Sequence, residues 1–70
     1  MPVAEQIRLT ERELEVLELV AKGLTNEEIA RQIFRARTTA RWHVCSLMKK
    51  LFASNRTEMV ANAYREGLLQ

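Results

Sequence analysis

Apolar positions recur at helical spacing in four blocks along the chain, and three of the blocks open with the same punctuation. In the first, Leu14, Leu17, Val20 and Ala21, joined by Val16, keep a period near 3.6. Thr10 precedes it with Glu13 three residues on, the spacing of a capping box, and Leu9 and Leu14 hold the staple positions across it. Gly23 follows where a left-handed residue closes a helix, so the spacing predicts a first helix over 11–22. The punctuation then repeats: Thr25 with Glu28 makes a second box and Leu24 with Ile29 a second staple. This predicts a short helix over 26–33 with Ile29, Ala30 and Ile33 inward. The third block has no strong cap, but Ala40, Val44, Leu47 and Leu51 fall at i, i+4, i+7 and i+11, one face of a helix over 37–51. Asn55 and Glu58 stand at box spacing before a fourth helix over 56–66, closed by Gly67. There Val60, Ala63 and Tyr64 face the core or a partner, and Leu68 and Leu69 fold back over the end. Residues 1–8 carry no periodicity and read as a flexible lead, which leaves 9–70 as one all-α domain.

Composition narrows the class. Seventy residues make a single domain close to the lower size limit for a self-supporting core. Two Gly, one Pro and no sustained alternation leave little for strands. One cysteine cannot form an internal disulfide. No apolar run approaches the roughly 18–20 residues that span a bilayer, and the N-terminus lacks a signal-peptide pattern, so a cytoplasmic protein with no membrane contact is expected. A domain this small has little room for a buried catalytic pocket. No Ser/His/Asp arrangement, carboxylate pair or Gly-rich phosphate loop is present, so an enzyme is not expected. The opening Met leans towards a stand-alone protein, with a domain cut from a longer chain as the alternative.

Charge gives the pattern a direction. The net charge is only +2, but residues 29–56 hold seven Lys and Arg and no Asp or Glu, whereas the first thirty residues hold seven Glu against three basic residues. A phosphate backbone needs such local cationic density and not a global excess. The third helix carries Arg37, Thr38, Arg41, Trp42, Cys45 and Lys49 opposite its apolar stripe. A short helix, a tight turn and a longer helix with a basic outer face is the helix-turn-helix arrangement, with the third helix as recognition helix. Arg41 is the best base reader, because a guanidinium can bond guanine O6 and N7 together. Arg31, Arg37 and Lys49 suit phosphates, which receive the majority of contacts. Trp42 lies off the apolar stripe and is expected to be exposed, against a thymine methyl or sugar or against a protein partner. His43 reads as a packed or hydrogen-bonded helix residue. With Cys45 as its only companion it cannot make a zinc site, which takes three or four protein ligands. The Glu-rich first helix reads as a solvated face or a contact for RNA polymerase or another regulator. Val60, Ala61 and Tyr64 form an apolar strip that either closes the core or joins two copies.

The residues also resemble a known family. The runs 9–17 (LTERELEVL) and 21–30 (AKGLTNEEIA), Thr39, His43, Lys50-Leu51 and the run 54–58 (SNRTE) are similar to the C-terminal DNA-binding domain of LuxR/FixJ-type response regulators and of small GerE-like proteins. The likeness covers residues 9–69. It implies four helices with the third in the major groove, base-reading positions at Arg41, Trp42 and Cys45, and backbone contacts at or near Thr25, Asn26, Thr38, Thr39, Ser46 and Lys49. It also implies a two-fold dimer contact on the fourth helix, at or beside Val60, Ala61 and Tyr64. Four positions depart from the family pattern: Arg35 for an apolar residue, Ala36 for a capping Ser, Ala40 for Val and Phe52 for Gly. A lost cap costs about 1 kcal/mol and a left-handed non-glycine roughly 1–2 kcal/mol, against a total stability of about 5 kcal/mol. The expected function is therefore a transcriptional regulator that binds double-stranded DNA as a homodimer. The alternative is a protein-interaction module of the same fold that modulates another regulator with DNA binding weakened or lost. No cofactor, metal or small-molecule ligand is expected.

Overall fold

The structure, a computed structural model, describes residues 7–70. It contains four helices, α1 (Glu11–Ala21), α2 (Asn26–Ile33), α3 (Arg37–Lys50) and α4 (Arg56–Arg65), and no strand among the described residues. The all-α reading and the four predicted helices hold, with ends within a residue. Of the lead 1–8, residues 1–6 lie outside the described residues. Ile7 packs half-buried against the core, and the Arg8 carbonyl accepts a bond from Lys50 Nζ at 3.2 Å.

The helix starts form as their caps dictate. The Thr10 and Thr25 hydroxyls accept from the amides of Glu13 and Glu28 at 3.1 and 3.2 Å, and both glutamates return the bond to the threonine amides. Asn55 Oδ1 accepts from the Glu58 amide at 2.8 Å, but Glu58 Oε1 accepts from the Ser54 amide instead of the Asn55 amide. That third start is therefore a one-sided cap and not the expected box. Ala36 gives α3 no side-chain cap.

All four helices end alike. Residues 23, 34, 52 and 67 are left-handed, and each is bracketed by the paired backbone bonds of a Schellman motif, as with Arg35 N to Ala30 O and Phe34 N to Arg31 O. Gly23 and Gly67 adopt this conformation freely. Phe34 (φ 56°) and Phe52 (φ 54°) do not, and their rings, 86 % and 75 % exposed, gain little from the core in return. Phe34 ends α2 at the turn into α3, a position the sequence pattern left unmarked. Two changes should therefore stabilise the domain by about 1 kcal/mol each: Ala36→Ser, which supplies the missing cap, and Phe52→Gly, which removes the left-handed penalty. Urea denaturation followed by circular dichroism checks both.

The core draws on every helix: Val16, Leu17 and Val20 of α1; Ile29, Ala30 and Ile33 of α2; Ala40, Val44 and Leu47 of α3 with Leu51; Met59 and Ala63 of α4; and Leu69 folded back from the end. The α3 stripe is as predicted. Leu14 is not part of the core: it lies 37 % exposed, because the buried face of α1 runs through Glu13, Val16, Leu17 and Val20 and leaves Leu14 on its rim. Met59, which the sequence reading did not place inward, is fully buried with Ala63 on α4, and Val60 is partly buried against the core. Ala40 is fully buried, and α2 and α3 are the most extensively packed pair of helices.

Polar tethers hold the strained end of α3 and both ends of α2. Lys50 Nζ lies 2.7 Å from Glu13 Oε1, and Glu13 is only 6 % exposed. Asn62 Nδ2 donates to the Leu51 carbonyl at 2.9 Å. Arg12 Nη1 donates to the Ile33 carbonyl. Arg56 grips the α2 start, with Nη1 to Asn26 Oδ1 at 2.6 Å and Nη2 to the Leu24 carbonyl at 2.7 Å.

Burial pushes the Glu13 carboxyl pKa up, but the Lys50 bond, the Thr10 amide and the Lys50 charge outweigh it and hold the value below the ordinary 4.5. A folded-state pKa depressed in this way contributes stability in full above the unfolded value and loses it as pH falls through the folded one. Stability should therefore drop as the pH is taken below about 4.5. In Lys50→Met both contributions of Lys50 are lost, and only the Thr10 bonds still oppose the effect of burial on Glu13. That variant should lose about 2 kcal/mol at pH 7, less than for a fully buried pair because Lys50 is partly solvated, and the deficit should shrink as acid protonates Glu13. Thermal melts of both proteins between pH 7 and 3 check this.

Candidate nucleic-acid interface

With Ala40, Val44 and Leu47 turned inward, the outer face of α3 is fixed by helical geometry. Arg37, Thr38, Arg41, Trp42, Cys45 and Lys49 are all exposed on it, and Thr39 and Ser46 lie half-buried on its flank. Trp42 stands 64 % exposed with its ring edge-on to the half-buried His43 ring, centroids 5.2 Å apart, which gives the indole a lateral support. Cys45 is a free, exposed thiol one turn from both Arg41 and Lys49. No group of three or more His, Cys, Asp or Glu able to hold a metal occurs among the described residues.

The α2 start joins this face. Thr25 and Asn26 line an open depression of about 540 Å³ with Glu27, Arg37 and Arg56. The Thr25 hydroxyl and Asn26 Oδ1 are already engaged, by the Glu28 amide and Arg56 respectively. Arg37 Nη1 lies 3.0 Å from Glu27 Oε1, so this expected phosphate ligand is paired within the chain. Arg31 is exposed in the last turn of α2, away from that depression. On α4, Ala61 and Tyr64 are exposed, the latter by 51 %, and Val60 lines a depression of about 410 Å³ with Val20, Leu24 and Thr57. A larger depression, about 870 Å³, lies on α1 between Thr10 and Glu18. Its Glu11, Glu15 and Glu18 repel phosphate, so the convex α3 face and not this hollow is the candidate nucleic-acid surface.

Sequence reasoning missed three things here. Glu27 pairs with Arg37 across ten positions, Arg56 serves as a clamp, and Phe34 projects at the α2–α3 turn. Only the positive charge of Arg56 was visible in the sequence, and its partners come from a distant segment.

Two capped helices and a third with a buried inner and a basic outer face match a family profile over residues 8–63, that of the bacterial regulatory proteins of the luxR family, GerE type. The chain belongs to the luxR family. As a luxR domain it is a DNA-binding transcription-regulator module and not an enzyme. It is 44 % identical over 61 residues to the uncharacterized transcriptional regulatory protein YxjL of Bacillus subtilis, covering 87 % of this chain and 28 % of that protein. It is 41 % identical over 61 residues to the transcriptional regulatory protein LiaR of Bacillus subtilis, covering 87 % and 29 %. With the response regulator protein VraR of Staphylococcus aureus the identity is 42 % over 62 residues, covering 89 % and 30 %. The luxR domain described here thus spans less than a third of the length of these relatives. No helix among its described residues is long and apolar enough to cross a membrane.

Proposed function

We propose that this domain binds double-stranded DNA with α3 in the major groove and serves as the output module of a transcriptional regulator of the response-regulator type. Arg41, Trp42 and Cys45 meet base edges, and Thr25, Asn26, Arg31, Arg37, Thr38, Thr39, Ser46 and Lys49 meet the backbone. The observation that carries the reading is the division of α3 itself: a fully buried stripe on one side, and on the other an exposed face with three cations and no carboxylate. Val60, Ala61 and Tyr64 form the contact between two copies on a two-fold site. The acidic outer face of α1 is the surface left for RNA polymerase or another regulator. The names of the relatives support the regulatory role.

A second reading, a module that binds another regulator in place of DNA, draws on the exposed Phe34, Trp42 and Phe52 rings. The tethers at the C-terminal end of α3, Lys50 to Glu13 and Asn62 to the Leu51 carbonyl, weigh against it, because they hold the helix on the core despite the left-handed Phe52.

Fluorescence anisotropy on a mixed pool of short duplexes, titrated over salt, separates the two. DNA binding predicts micromolar or tighter affinity with a log–log slope near −0.9 for each phosphate neutralised. A folded protein with no salt-sensitive binding would favour the protein partner.

A further inference from the structure

The pair between Arg37 and Glu27 has a consequence for how strongly the domain holds DNA. The guanidinium and carboxylate side chains are 69 % and 61 % exposed, and they lie on different helices. An exposed pair of this kind contributes little to folding. Tertiary polar contacts with a buried or half-buried partner include instead the bond of Lys50 to the buried Glu13 carboxylate and the Arg56 clamp. Glu27 nonetheless sits at a costly place, directly after Thr25 and Asn26 and in the same depression as Arg37 and Arg56. A phosphate brought against Thr25, Asn26 and Arg37 meets a carboxylate that repels it and already occupies the guanidinium.

We propose that Glu27 is an affinity-limiting residue: it holds the Arg37 guanidinium in the free protein and opposes the DNA phosphate that would replace it. The inference rests on the DNA-binding reading above. Contacts with phosphates carry no base information, so Glu27 sets the strength and salt dependence of binding and leaves the sequence preference unchanged. Its removal adds one unit of effective positive charge to the interface, and the slope of log affinity against log salt steepens by about 0.9. A single charge at contact range, screened over a Debye length of roughly 10 Å, corresponds to about a three- to tenfold change in affinity at low salt.

A structural role for Glu27 predicts the opposite sign. The residue lies in the first turn of α2, where a carboxylate favours the helix dipole. If its task were to brace the helix or to position Arg37, Glu27→Gln would weaken binding or leave it unchanged. Glutamine keeps the length and an acceptor oxygen for Arg37, so the geometry is retained while the charge is removed.

The test measures anisotropy of the whole chain on one mixed duplex pool from about 50 to 200 mM salt, for wild type, Glu27→Gln, Arg37→Ala and the double variant. Melting curves verify that each is folded. Glu27→Gln is expected to bind three- to tenfold tighter with a steeper slope. Arg37→Ala is expected to bind more weakly, and the double variant to return close to wild type. Wild-type binding with Glu27→Gln equal or weaker, or with the slope unchanged, overturns the role of Glu27 and leaves DNA binding intact. Absence of salt-sensitive binding in both wild type and Glu27→Gln overturns the DNA reading and this inference with it.

Discussion

Replacing Leu47 with alanine is expected to remove most of the stability of the domain. Leu47 is fully buried on the inner stripe of α3, where the core elements of α1, α2 and α4 converge. A Leu→Ala change in such a site costs about 2–5 kcal/mol, the transfer term plus the cavity left behind. A domain of this length has roughly 5 kcal/mol in total, so a substantial unfolded fraction is expected at 25 °C. Helical circular dichroism against urea measures it, with Arg31→Ala as an exposed control expected to stay within about 0.5 kcal/mol of wild type. The effect is large because α3 does two jobs. Its inner face is a wall of the core and its outer face is the binding surface, so losing the first releases the second. A loss below 1 kcal/mol would mean that the neighbouring helices close around the site and that α3 is seated by its tethers alone.

Arg41→Ala should be the most damaging surface substitution for DNA binding. A bidentate arginine–guanine contact is worth about 1–3 kcal/mol of discrimination, which is roughly 5- to 150-fold in affinity for the preferred site. The loss should fall on one base position, whose preference flattens while the others persist. Lys49→Ala provides the contrast. As a phosphate ligand it should weaken all duplexes alike and reduce the salt slope by about 0.9. Competition binding on a duplex selected from a random pool, with each base pair varied in turn, distinguishes the two patterns.

What the sequence made legible follows from the range of the interactions. Caps are local: Thr10 with Glu13 and Thr25 with Glu28 are three residues apart, and both boxes formed as read. The inner stripe of α3 is periodic and was equally plain. Glu13 was only half understood. Its cap role is local, but its bond to Lys50 spans 37 positions, and no spacing rule marks it. Phe34 escaped notice because a left-handed helix end is advertised by glycine, and a phenylalanine in that place carries no local mark. Phe52 was anticipated only because the family resemblance supplied a glycine for comparison. Similarly, periodicity gave the outward face of α3 and guanidinium chemistry singled out Arg41, but grouping Arg41, Trp42 and Cys45 as the base readers came from the resemblance. The Arg37–Glu27 pair depends on how α2 and α3 dock, which the charge pattern does not encode.

In the proposed DNA complex α3 enters the major groove with Arg41 against a guanine. Methylation interference on a selected duplex tests this most directly, because dimethyl sulfate marks guanine at N7 in the major groove and adenine at N3 in the minor groove. N7 methylation of particular guanines is expected to block wild-type binding, and interference at one of them is expected to disappear in Arg41→Ala. Interference confined to adenine N3, or a guanine pattern unaltered by Arg41→Ala, would contradict this placement.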